Sequence, residues 1–137
     1  MVLSMSELDW SGRGVDWRDA TKDTEMAQDW LANERLWGAS RDAVPAGYDL
    51  DIIDRVRELT MGDLDRDRGW RLIVTLLHLA ADDRDLGNVA RQPLEEFIRE
   101  HGDAFYDQID QLATSDPRVQ RALTMALGGW PGSHSRR

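Results

Sequence analysis

A chain of 137 residues, 41% of them apolar and six of them tryptophan, is long enough to bury one core, too short for two, and too rich in large apolar side chains to stay disordered. Having no cysteine, it excludes disulfides, thiolate zinc sites, iron–sulfur clusters and cysteine nucleophiles, and no stretch approaches the roughly 20 apolar residues of a membrane span. Seventeen basic against 26 acidic side chains leave a net charge of −9, a field that disfavours phosphate backbones and favours a basic protein as partner.

The excess is uneven, since residues 1–69 carry 9 basic and 16 acidic groups and residues 70–137 carry 8 and 10. Lys22 stands alone beside sixteen arginines, and Asp outnumbers Glu by 19 to 7, the bias of a GC-rich bacterial genome. Met1 to Glu7 lack a basic region followed by an apolar run, so a cytoplasmic protein is expected.

Residues 1–22 read as an irregular N-terminal arm, because Gly12 and Gly14 interrupt them and Leu8, Trp10, Val15 and Trp17 do not hold a helical period. Trp10 and Trp17 either pack on the body or form an acidic aromatic docking arm for another protein, and an arm crossing between protomers keeps a homodimer open. Residues 23–131 are expected to form a single helical domain, and residues 132–137 a mobile tail.

Asp23 is placed to cap a first helix with Met26, Ala27, Trp30, Leu31 and Trp37 on one stripe and Gly38 at its end. Residues 41–48, with Pro45 and Gly47, form a linker; Asp49 caps a second helix carrying Leu50, Ile53, Val56 and Leu59, which Gly62 closes. A charged crossing over residues 63–68 leads to residues 70–81, apolar nearly all round and expected to be the central buried helix. Asp82 and Asp83 open a fourth helix containing Leu86, Val89, Ala90, Leu94, Phe97 and Ile98, in which Pro93 demands a kink or split near Ala90. A fifth helix places Phe105, Ile109, Leu112 and Ala113 on one face. Ser115-Asp116-Pro117 starts a sixth, which Gly128-Gly129 stops. The expectation is all-α: about six helices as three antiparallel hairpins, either HEAT-like or an irregular bundle.

Residues 79–83, Leu86-Gly87, the run Ala90-Arg91-Gln92-Pro93-Leu94-Glu95, His101-Gly102, Asp116-Pro117-Arg118 and Gly129-Trp130-Pro131 resemble a family of short, uncharacterised bacterial helical domains. The resemblance covers about residues 70–131. It departs at Gln92, where the family usually has glycine, and at Gly129, where a branched residue is usual. It implies a helical fold and a bacterial origin, and no activity.

The residues with most chemical potential are His78, Asp82 and Asp83, with Glu95, Glu96, Glu100 and His101 on the next helix. His78 and Asp82, four apart, have the spacing of a metal pair on one helix face, and Glu96 and Glu100 repeat it. The plainer reading makes Asp82 and Asp83 helix-start residues, His101 a complement to a last turn, and the glutamates a solvated face. There is no phosphate loop and no nucleophile elbow, so no catalytic residue is assigned and no cofactor is expected.

Two functions follow. The first is a non-catalytic protein-binding domain of immunity, antitoxin or adaptor type, presenting an acidic helical surface to a basic partner through Asp82, Asp83, Glu95, Glu96, Glu100, Trp10 and Trp17. The second is a small metal- or carboxylate-dependent enzyme using the region of His78 and Asp82. Neither nucleic acid nor a membrane is expected as a partner.

Overall fold

Short polar side chains start four of the helices, and their stripes then fold onto one core. The computed structural model describes residues 20–37 and 42–128. Trp10, Trp17, Gly38 and the tail lie outside the described residues. A short 3-10 turn, Ala20–Lys22, leads into α1 (Asp23–Glu34). α2 (Leu50–Met61), α3 (Arg66–Leu79) and α4 (Asp83–Val89) follow, then a π turn (Ala90–Leu94), α5 (Glu95–His101), α6 (Tyr106–Ser115) and α7 (Pro117–Leu127). As α4, the π turn and α5 run on without a break, the described residues make six helices and no strand.

Three of the expected caps are in place. Asp49 accepts from the Asp51 amide, Asp82 from the Asp85 amide, and Asp116 from the Arg118 amide with Pro117 behind it. Asp23 is not a cap: it is the first residue of α1, and its carboxylate takes the Arg68 guanidinium at 2.9 Å instead. A long-range arginine outcompetes the local amide there, because a charge-assisted bond is the stronger one. α3 begins four residues before Trp70, since Asp65 accepts from the Arg68 amide and turns most of the charged crossing into a first helical turn. It is also less uniformly buried than expected. Leu72, Ile73, Leu76 and Leu77 are inside, whereas Arg71 and His78 face solvent.

Pro93 neither breaks nor ends its helix. The chain widens into the π turn, in which the Glu95 amide reaches the Ala90 carbonyl five residues back. That register removes the need for a proline N–H while Val89, Ala90, Leu94 and Phe97 all stay buried.

The packing is that of an irregular bundle. α1, α2 and α3 pack on one another, with α1 closer to α3 than to its neighbour in sequence. The α4–α5 helix lies against α2 and α3, and α7 pairs with α6 and covers the π turn. Where these meet, Phe97 stacks on Trp70 at 5.6 Å and meets Phe105 edge-on at 5.1 Å. Each large side chain so enclosed contributes about 1.5–3 kcal/mol of transfer energy. The α1–α2 linker is pinned by Asn33, which donates to the Asp49 carbonyl and accepts from the Asp49 amide, and by Tyr48, whose hydroxyl donates to the fully buried Glu34.

Candidate functional site

The acidic and histidine residues picked out along the sequence do not converge. His78 and Asp82 share no helix face, because α3 ends at Leu79 and Asp82 is in extended backbone beyond it. His78 Nε2 instead lies 3.9 Å from Asp116 at the head of α7, and Asp82 is spent on capping α4. Asp83 pairs with Arg121, Glu95 with Arg99 on its own helix, and Glu96 with Arg57 of α2, while Glu100 is exposed. Among the described residues no three His, Asp or Glu side chains gather as a metal would require.

His101 stands in the last turn of α5, and it is buried there. It is 4% exposed, its ring centroid is 5.1 Å from that of Phe97, and its Nε2 lies 3.1 Å from the Gly62 carbonyl oxygen at the end of α2. Sequence spacing offers no hint of this contact, because the two residues are 39 positions apart.

That junction brings the exit of α2 and the start of α3 beside the corner between α5 and α6. Between them opens a cleft of about 390 Å³ lined by Asp63, Leu64, Asp65, Arg66, Asp67, Ala104, Phe105 and Gln108. Asp63, Asp65 and Asp67 are exposed, as are Asp103 and Asp107 on the facing segment, and Leu64 is wholly solvent-exposed among them. Arg68 is turned away to Asp23, which leaves Arg66 as the cation of the wall. The charged crossing was the available signal. Its pairing with residues 103–108 was not visible along the chain.

The opposite end of α3, roughly 20 Å away for a helix of this length, is electrically mixed. Arg35 grips Asp85 through Nε at 3.0 Å and Nη2 at 2.6 Å, Arg84 donates to the Trp37 carbonyl, and Arg118 to the Ala80 carbonyl. Asp85 is thus matched to Arg35, and Asp82 beside it caps α4.

A family model described as a family of unknown function, DUF6869, matches residues 51–133, more than half of the chain. The chain belongs to this family. No curated protein and no solved structure matches it. The DUF6869 match begins inside α2 and runs past α7, so it takes in both walls of the acidic cleft as well as the 70–131 segment that carries the sequence resemblance. Within that segment Ala80, Asp82, Pro93, His101, Asp116 and Pro117 all serve the architecture: a carbonyl taken by Arg118, a cap, the π turn, the Gly62 contact, and the start of α7. Gln92, where the sequence resemblance departs, has an ordinary backbone, since no described non-glycine residue has a positive φ.

Proposed function

We propose that the chain is a non-catalytic protein-binding domain that offers an acidic helical surface to a basic partner protein, as an immunity protein, antitoxin or adaptor would. The contact surface is the cleft lined by Asp63, Asp65 and Asp67, with Asp103 and Asp107 beside it. The observation that carries this reading is the gathering of Asp63, Asp65 and Asp67 around the exposed Leu64, while Asp83, Asp85, Glu95 and Glu96 are matched to arginines. An exposed apolar side chain ringed by charge is how a contact patch combines a small desolvated centre with steering from its rim. The same field opposes a nucleic-acid backbone. Lacking cysteine and any described helix long and apolar enough to cross a membrane, the domain fits the cytoplasm. A carboxylate or metal enzyme built on His78 and Asp82 has less support, as those side chains serve different neighbours.

The test uses the tagged chain and its Asp63→Asn, Asp67→Asn, Asp103→Asn, Asp107→Asn variant as baits in native lysate, followed by kinetics with the purified partner. Asp65 is spared because it caps α3. A basic protein is expected on the wild type, with an association rate that falls about tenfold or more in the variant at low salt, the range that steering supplies. Equal rates for both baits would move the contact away from the cleft. Capture of no basic protein, or of a second copy alone, would overturn the reading.

A further inference from the structure

His101 closes α5, its side chain is 3% exposed, and its two ring nitrogens face two different groups of the α2–α3 segment. Nε2 meets the Gly62 carbonyl oxygen at 3.1 Å, and Nδ1 lies 3.9 Å from Asp63 Oδ1. A carbonyl only accepts, so in the neutral ring Nε2 carries the proton and Nδ1 turns a lone pair toward a carboxylate. No bond forms on that side. When Nδ1 takes a proton from solvent, the same geometry has a donor on each nitrogen and an opposite charge within ion-pair distance. The Gly62 contact is kept in both states, because Nε2–H donates in each.

We propose that His101 is a proton-operated latch on the acidic cleft. In its charged form it draws Asp63, otherwise 92% exposed, onto the α5–α6 corner, which tightens the α2–α3 loop and withdraws one carboxylate from the cleft wall. The charged residues on the segments that meet there are Glu58 and Asp63 from α2 and its exit, Asp65, Arg66 and Asp67 from the start of α3, and Glu100 and Asp103 from its own stretch of chain. Asp63 is the one within 4 Å of the ring among the described residues. Free imidazole changes charge between about pH 5 and 8, which sets the pH range of the test. This inference goes beyond the partner proposal and does not depend on it.

The test needs only the purified chain. A long-range proton–nitrogen spectrum of the imidazoles at about pH 8 is expected to place the His101 proton on Nε2. Amide exchange is then compared at about pH 5.5 and 7.5, corrected for intrinsic rate. The amide read is that of Gly62, bonded to the Glu58 carbonyl at 3.0 Å, with the Ala80 amide, bonded to Leu76 at the far end of α3, as reference. In the wild type the relative protection at Gly62 is expected to rise about two- to fivefold at the lower pH, the size an exposed ion pair supplies. Asp63→Asn, a surface change that spares the fold, is expected to abolish the rise, and His78→Gln to leave it intact. An Nδ1–H tautomer, a pH-independent ratio in the wild type, or a rise that survives Asp63→Asn would each overturn the latch. Because no partner enters the measurement, its failure leaves the binding proposal standing, and the reverse holds too.

Discussion

Asp85 is a carboxylate with 2% of its side chain exposed, and its oxygens are taken by Arg35 and by the Ala81 amide at 2.9 Å. The hydrogen bonds from Arg35 hold its pKa below the ordinary carboxylate value; burial opposes them, and the Ala81 amide and the charges of Arg35 and Arg84 add to them. A carboxyl group depressed in the folded state contributes stability above its unfolded pKa of about 3.9 and loses it as the pH falls through the folded value. Asp85→Ala is therefore expected to cost about 1–3 kcal/mol at neutral pH, less than a fully buried pair would because Arg35 is half-exposed. Urea denaturation of both proteins measures the cost, and the gap between them should close below about pH 4. The single residues divide by the reach of their bonds. Asp49, Asp82 and Asp116 are legible as caps because their partners are two or three residues on. The partners of Asp23, Asp85 and His101 are 45, 50 and 39 residues away, and no local pattern encodes them.

Helices are legible where a stripe and a cap agree, and less so where the deciding contact belongs to another element. Pro93 marks a disturbance in the fourth helix, but a missing donor does not choose between a break and a widened turn. The buried phase of Val89, Ala90, Leu94 and Phe97 chooses it, and that depends on α7 and α2. Gly69 poses the same problem between α2 and α3. A Cβ there would sit 2.4 Å from the Leu59 carbonyl oxygen, a backbone atom that yields only if the helices move apart. Gly69→Ala is expected to destabilise by about 1–3 kcal/mol, as overpacking does, despite the better helix propensity of alanine. Gly128→Ala makes the contrast, since nothing lies within 4 Å of its added carbon and only the left-handed backbone, φ 77°, resists it. Its cost is expected nearer 1 kcal/mol, from strain at one residue. Equal losses for the two variants in urea denaturation would mean that the α2–α3 approach has room to relax.

At the scale of the molecule, an all-α chain of six helices is legible because each stripe is local, whereas the choice of partner for each stripe is not. α1 prefers α3 to α2, and from that choice follows which carboxylates meet. The α3–α4 corner ends with Asp83 and Asp85 matched to Arg121 and Arg35, while the negative excess collects at the other end around residues 63–67 and 103–107. A net charge of −9 held unevenly in this way repels itself, and mobile ions screen it within roughly 10 Å at 0.1 M salt. Salt also weakens the exposed ion pairs, but those contribute at most about 1 kcal/mol each and several are single contacts on half-exposed side chains. Repulsion is expected to win. Raising NaCl from about 20 to about 300 mM at neutral pH should increase Tm by about 2–4 °C, and by less in the fourfold Asp→Asn variant, which should also be the more stable protein at low salt. Thermal melts followed by circular dichroism decide it. A Tm that falls with salt in both proteins would mean that the ion pairs at the α3–α4 corner outweigh the cleft. A variant that melts higher at low salt, yet has lost its partner, would separate loss of binding from loss of fold.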